Sequence, residues 1–376
     1  MIKALLLAPM SSVHERFNVA NIEALKSLGY EIHIASNFSF CGHDEEYKNS
    51  LDKQQIITHQ IPFVRGSLLK NLKVIPQLKE LLKNGKFDVV HCHTETGGIL
   101  TRLSMSACKS AKYVFTPHGM SFYKGSSIKS QMIYYPIEKW ICKMMSANLA
   151  MNSEELAVLQ KWNENTAKFI HGIGVDIKSI DNISVNIEQK RREFGISADA
   201  ELILSIGELN ENKNHEVVIK AISQIENNEN IYYMICGEGE KRDELMSLAK
   251  ECGIAERFIL TGYRYDVKEI LKTADLFVFP SFHEGLAVSL MEAMRTPLPI
   301  VCSKIRGNVD LIQDGKGGYL CEPTDIKSIT HLLDKLLNNE QLCNDFKRIN
   351  FENAENYSIE SVIEEISKIY SACVRE

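Results

Sequence analysis

The sequence contains no run of eighteen apolar residues, so nothing in it reads as a membrane-spanning helix. Its ten cysteines are scattered without a single Cys-x-x-Cys pair. Cys92, Cys236 and Cys302 lie in apolar runs, as reduced core thiols do, which points to a cytosolic protein. No Gly-x-Gly-x-x-Gly follows the first hydrophobic run, "LLLAPMSS", which excludes an ordinary dinucleotide-dependent oxidoreductase. There is no repeat of solenoid period and no low-complexity tract. No recognised nucleic-acid module or arginine-rich arm occurs, so nucleic acid is not expected as a partner. The opening "MIKALLLAPMSS" is too briefly apolar for a secretory signal and runs straight into a helical pattern; it reads as a first buried strand.

What remains is a chain of 376 residues, 44% hydrophobic and 24% charged, which fits two globular domains of medium size. The net charge of −6 conceals an asymmetry. Between Ile61 and Met145 thirteen Lys and Arg face four acids, a local excess of +9 that leaves −15 on the rest. The basic block is interleaved with apolar and aromatic residues, as in "RGSLLKNLKVIPQLKELLKNGK" and "SFYKGSSIKSQMIYYPIEKW". Charge runs are most often solvated faces, but this mixture also suits docking on an anionic membrane surface.

Short β-rich runs alternate with helical patterns from end to end. Strands are expected at 3–9, 31–36, 56–62, 88–93, 113–119, 149–152 and 168–174, and again at 201–207, 232–239, 257–263, 276–281, 300–303 and 318–323. Such alternation means parallel sheets with helices on both faces. The polar, strandless stretch 176–195 reads as a connection. It divides the chain into Rossmann-like domains at about 1–180 and 185–355, with a segment 356–376, containing "EEISKIYSACV", as a helix that crosses back to the first. Ligands of such sheets sit at the carboxyl ends of the strands, so a cleft between the domains is the expected site.

Two carboxylates, Glu284 and Glu292, stand with seven residues between them in "FHEGLAVSLMEAM". A helix is expected to begin at 287 or 288, with residues 285–287 forming its first turn and their amides facing a ligand. Gly285 allows close backbone approach. Glu284 on the loop and Glu292 on the helix are then placed to accept hydrogen bonds from hydroxyls at two ends of one extended ligand, such as a nucleotide sugar. Spacing alone is better served by a dipole-favoured loop carboxylate and a solvated helix carboxylate.

The spacing together with "EGLAVSLMEAM" resembles the signature of the family 4 retaining glycosyltransferases, which have the GT-B fold of two facing Rossmann-like domains. The resemblance extends along the chain through "HCHTETGGILTRL", "TPHGMSFYKG", "YYPIEK", "GVDI", "SIGELNENKNHEVVIKAI", "ICGEGEKRDEL", "LTGYRYDV" and "IRGNVDLIQDGKGGYL". It is strongest to the enzymes of bacterial exopolysaccharide and capsule synthesis. It implies that Glu292 binds the ribose hydroxyls, that Glu284 contacts the transferred sugar, and that amides of Gly285, Leu286 and Ala287 hold the sugar and diphosphate. Lys213 matches the lysine that neutralises the diphosphate leaving group. His118 matches a histidine near the transferred sugar or acceptor; a lone histidine at a strand end is otherwise usually a hydrogen-bonded structural group.

Two departures accompany the resemblance. Glu208 stands where many family members have arginine, which makes Arg306 and Arg264 the candidate replacements at the phosphates. The first β–α turn lacks the Gly-Gly found in many GT-B enzymes and offers Ser12 instead. His91 and His93 share one side of a strand with Cys92 opposite, but further metal ligands are not identifiable. No Asp-x-Asp occurs, and the resemblance implies metal-independent transfer without a cofactor.

The implied activity is retaining transfer of a hexose or N-acetylhexosamine from a UDP-sugar to a polyprenyl-diphosphate-linked oligosaccharide. The implied location is the cytoplasmic face of the cell membrane. A UDP-sugar epimerase of the same architecture and a non-catalytic subunit of a polysaccharide assembly complex are the rival readings.

Overall fold

The computed structural model describes residues 2–40 and 43–375. The chain forms two compact units: Met1–Gly174 together with Ile359–Glu376, and Val175–Ser358.

The first unit is built on seven strands: β1 Lys3–Met10, β2 Glu31–Asn37, β3 Ile57–Gln60, β4 Val89–His93, β5 Lys112–Thr116, β6 Ala147–Ala150 and β7 Ala167–Phe169. Their order across the sheet is β3-β2-β1-β4-β5-β6-β7, and every pair is parallel. The runs of Val, Ile, Leu and Ala in β1 and β4 are buried because helices cover both faces. On one face Leu5, Leu7, Val90, Cys92 and Phe115 pack with Leu78 and Leu82 of the helix Ile75–Gly85 and Leu100 of the helix Thr94–Ser104. The helix Ile359–Arg375 packs on the helix Val19–Ser27 and on β4. It buries Val362, Ile366, Tyr370 and Cys373, a stripe at helical spacing. Tyr370 anchors it: its hydroxyl is 2.7 Å from His91 Nδ1 and 2.9 Å from Asn21 Oδ1.

The second unit repeats the plan with β8 Glu201–Ile206, β9 Ile231–Cys236, β10 Phe258–Gly262, β11 Leu276–Phe279, β12 Ile300–Ser303, β13 Gln313–Asp314 and β14 Gly317–Cys321. Their order is β10-β9-β8-β11-β12-β14-β13, again parallel throughout. Alternate residues feed two cores. Leu202, Leu204, Phe277, Phe279, Ile300 and Cys302 face one; Ile203, Leu276, Val278 and Val301 face the other. Fully burying one such side chain contributes about 1.5–3 kcal/mol.

Strand limits fall close to those expected, and the differences have local causes. β5 stops at Thr116 because the backbone turns left-handed at His118, with φ of 58°, and again at Gly119. The two-residue β13 was not expected; nothing so short carries a hydrophobic period. The stretch 176–195 is not a free connection. It forms the helices Ile177–Asp181 and Ile187–Glu193 within the second unit. Arg191 pins the latter, donating to Thr273 O at 2.7 and 3.0 Å, to Ala200 O at 2.9 Å and to Asp275 Oδ2 at 2.6 Å. No described cysteine is in a disulfide. Burial raises the thiol pKa of Cys92 to about 12 and of Cys236 to about 11, as for inert core groups.

Candidate active site

In each sheet the chain starts in the middle, runs to one edge and then crosses to build the other half. The carboxyl ends of β8 and β11 therefore flank a switch point in the second unit, and those of β1 and β4 flank one in the first. Open parallel sheets bind ligands at such points.

At the second unit's switch point the loop Gly207–Asn214 meets the loop Pro280–Ala287. Lys213 Nζ lies 2.7 Å from Glu284 Oε1, and both side chains are largely buried, at 19% and 15% exposure. The same ammonium sits 4.9 Å above the centre of the Phe279 ring. The two loops are laced together by Asn212, whose Nδ2 donates to His283 O at 3.0 Å and whose Oδ1 accepts from His283 N at 3.1 Å. Phe282 N donates to Asn212 O at 2.8 Å. Asn214, left-handed at φ 53°, donates to Pro280 O and Pro323 O at 3.1 and 2.7 Å.

A third loop braces the first from behind. Leu209 N donates to Glu238 O at 2.9 Å, and Lys241 N donates to Leu209 O at 3.0 Å. The approach is so close that a Cβ on Gly237 would lie 1.9 Å from Gly207 O, and one on Gly239 2.4 Å from Leu209 O. Gly307, at φ 81°, plays the same part on the other side, where a Cβ would lie 2.2 Å from Gly285 O.

The helix that follows runs from Val288 to Arg295 with Ala287 as its N-cap. Residues 285–287 are therefore not its first turn, as the sequence suggested. Gly285 and Leu286 belong to the loop, and the amides without intrahelical partners begin at Val288. Glu292 falls on the second turn of this helix. Burial raises its carboxyl pKa above the usual value, and Lys268 offsets this in part.

Of the arginines proposed to replace the one missing at Glu208, Arg306 is close: its Nε donates to Glu284 O at 3.2 Å. Arg264 is not brought to this cluster. It follows β10, two strands away from β8, and its guanidinium is paired with Asp266 at 2.7 and 2.5 Å. Glu208 is exposed, its carboxylate accepting from Asn210 Nδ2 at 3.0 Å.

In the first unit the helix Ser11–Phe17 begins directly at the end of β1, so Ser12 lies in its first turn. Ser11 donates to the Asp44 carboxylate. His118 lies just past β5, its ring between Phe17 at 5.3 Å and His93 at 5.2 Å, with Nε2 at 2.9 Å from His93 Nδ1. Burial lowers the His118 pKa to about 4, so the ring is neutral near pH 7. The loop after His118 is held by carboxylates from three helices. Glu155 accepts from Met120 N at 2.8 Å, Glu138 from Ser121 N at 2.9 Å, and Glu95 from the Ser121 hydroxyl at 2.8 Å. Sequence reasoning did not single out Asn212, Gly237, Glu138 or Glu155. The left-handed Asn214 had a trace in the Asn-rich "NENKN".

Two seven-stranded parallel sheets of this order, with the Lys213–Glu284 pair at the carboxyl end of the second, have the GT-B architecture. The model of the family described as Glycosyl transferases group 1 matches residues 186–352, and that described as Glycosyl transferase 4-like matches residues 3–153. The chain belongs to the family 4 glycosyltransferases. EpsD of Bacillus subtilis, named as a glycosyltransferase, is 29% identical over 377 residues, covering 98% of this chain and 96% of its own. The Escherichia coli UDP-Gal:α-D-GlcNAc-diphosphoundecaprenol α-1,3-galactosyltransferase is 27% identical over 344 residues, 88% of each chain. Among solved structures, Anabaena HepE in complex with UDP and glucose superposes with a TM-score of 0.80 at 16% identity, over 99% of this chain and 100% of that one.

Proposed function

We propose that the protein transfers a hexose or N-acetylhexosamine, with retention, from a UDP-sugar to a lipid-linked oligosaccharide in polysaccharide synthesis. The observation that carries this reading is the Lys213–Glu284 pair, 2.7 Å apart at the second unit's switch point and ahead of the helix that bears Glu292. Glu292 takes the ribose hydroxyls and Glu284 the transferred sugar. Lys213, the loop amides of Gly285, Leu286 and Ala287, and the N-terminus of the helix from Val288 offset the charge that grows on the departing diphosphate. Arg306 and Ser12 are the further phosphate-side candidates, Arg306 the better placed through its contact with Glu284 O. His118 serves the sugar or acceptor from the first unit. No protein nucleophile is assigned; the departing phosphate assists attack on the same face, through an oxocarbenium-like transition state.

The donor class is supported by the name of the Escherichia coli relative and by the UDP in HepE. The acceptor class is supported by that same relative and by a Campylobacter jejuni diphospho-undecaprenol N-acetylgalactosaminyltransferase, 30% identical over 163 residues and matched over 44% of its own length. That the relatives are named as transferases favours transfer over epimerisation or a non-catalytic role.

No described helix is long and apolar enough to cross a membrane. The helix Ile128–Cys142 instead exposes Ile128 and Met132 at 76% and 73%, beside Lys129, Lys139 and Lys143. Leu69, 80% exposed, lies beside Lys70 and Lys73. Apolar tips ringed by lysine suit the anionic inner surface of the cell membrane, at about 1 kcal/mol per basic residue near the interface.

The test is a panel of nucleotide sugars scored by ligand-induced thermal shift, followed by transfer to a polyprenyl-diphosphate sugar. A stabilising donor that is consumed only with acceptor present supports the reading. Epimerised donor without acceptor overturns it in favour of the rival. Vesicle binding that requires anionic lipid and weakens with salt supports peripheral docking, and indifference to both removes it.

A further inference from the structure

Four histidines crowd the carboxyl edge of the first sheet. His93 ends β4, and its ring lies 4.0 Å from His91, 5.2 Å from His118 and 6.1 Å, edge-on, from His14. These are the titratable groups that face it. His91 is fully used, with Nδ1 at 2.7 Å from the Tyr370 hydroxyl and Nε2 at 2.8 Å from Thr116 Oγ1. His14 Nδ1 is 2.8 Å from Asn18 Nδ2. His93 is fully buried as well: its Nδ1 meets His118 Nε2 at 2.9 Å, while its Nε2, like that of His14, has no hydrogen-bond partner among the described residues.

This orphan nitrogen decides how the pair shares its proton. If His118 donated from Nε2, neutral His93 would carry its own proton on Nε2 and leave an N–H unsatisfied in the core. If His93 donates from Nδ1, the orphan is only a lone pair. Buried N–H groups without acceptors are the rarer and costlier defect. The backbone holds the arrangement against its own preference. Thr94 and His118, just beyond neighbouring strands, are both left-handed, with φ of 66° and 58°. Such conformations are unfavourable in non-glycine residues and persist where surrounding contacts impose them.

We propose that His93 is a positioning residue of the reacting centre: it donates Nδ1–H to His118 Nε2, so that His118 turns Nδ1–H outward as a donor to an oxygen of the bound sugar or acceptor. The proposal rests on the glycosyl-transfer reading for its functional half only. His93 itself touches no substrate. It selects the His118 tautomer, and His91, its ring centre 4.0 Å away and tilted by 35°, keeps the ring from turning.

Protein labelled with 15N-histidine, examined by long-range proton–nitrogen correlation, reads the tautomer directly, with His118 assigned by its loss in His118→Gln. The wild type is expected to carry the proton of His118 on Nδ1. His93→Phe, which keeps an aromatic ring without a donor, is expected to move it to Nε2. His93→Asn, whose amide places a donor at the same point of the side chain, is expected to keep it on Nδ1. In transfer assays with the donor found in the panel, His93→Phe should lower kcat about tenfold with little change in KM, and His93→Asn should recover most of the loss. Wild-type His118 protonated on Nε2 overturns the tautomer assignment. Unchanged kcat in His93→Phe, or a loss equal in both variants, overturns the positioning role. Should no nucleotide sugar be turned over, the nitrogen spectra still decide the tautomer, and the transfer reading alone has failed.

Discussion

Glu292 carries a conflict between folding and binding. Its carboxyl pKa is raised in the folded chain because burial penalises the anion. The folded state therefore holds this proton more tightly than the unfolded one. Stability from this group is greatest below the unfolded value of 4.5 and falls as pH rises through the folded pKa. Glu292→Gln should then melt higher than wild type at neutral pH, with the difference vanishing below pH 4.5, by scanning calorimetry. The same variant should bind the donor about 10- to 100-fold more weakly, since hydrogen bonds to an ionised acceptor are lost. Lys213→Met is the complementary test: it should lower kcat by about 10²–10³, the loss expected for one electrostatic stabiliser of a leaving group, with a smaller effect on donor KM. A histidine with its pKa lowered to about 4 gives no step in the activity profile near its ordinary 6.5. A profile that broke there would remove His118 in its neutral form.

Glu284, Glu292, Lys213 and His118 are singled out in the sequence by the motifs of the family it resembles, not by spacing alone. That Lys213 and Glu284 form one ion pair was not legible, since 71 residues separate them and only the sheet order brings β8 beside β11. Nor was His93 legible as more than a buried strand residue. Its meaning lies in one nitrogen with a partner and one without.

At the scale of elements, the site depends on three loops lying closer than side chains permit. Gly237→Ala would put a methyl 1.9 Å from Gly207 O, and nothing flexible is there to yield. The loop bearing Lys213 must move, so this substitution should cost more than about 1–3 kcal/mol in urea unfolding and abolish the donor-induced thermal shift. A Gly237→Ala protein with wild-type donor affinity would show that the bracing is incidental. Strand existence was readable from apolar runs, and the helix after Glu284 was located to within a residue. The exact cap was not, because Gly285 to Ala287 satisfy loop and first turn equally well until the backbone is seen. The polar stretch 176–195 hid its two helices for a related reason. Its burial is carried by Arg191, a residue that reads as surface until its hydrogen bonds to the buried Thr273 and Ala200 carbonyls are seen.

For the whole molecule, the two sheets share one strand order but divide the labour of the chain unequally. The second unit is continuous, and the first is assembled from segments on either side of it. Tyr370 is a fully buried link of that assembly. Tyr370→Phe should leave His91 Nδ1 and Asn21 Oδ1 without their shared hydroxyl and destabilise the chain by about 1–3 kcal/mol, measured by urea unfolding. Donor affinity should change little, because Glu292, Glu284 and Lys213, the main groups proposed to hold the donor, lie in the second unit.

That interleaving also sets an order of events during synthesis. The first sheet leaves the ribosome long before the helix Ile359–Arg375 exists, so the face of Val19–Ser27 that receives this helix and Tyr370 must wait, uncovered, while the entire second unit is translated. The half of the protein made first is the half that can be finished only last.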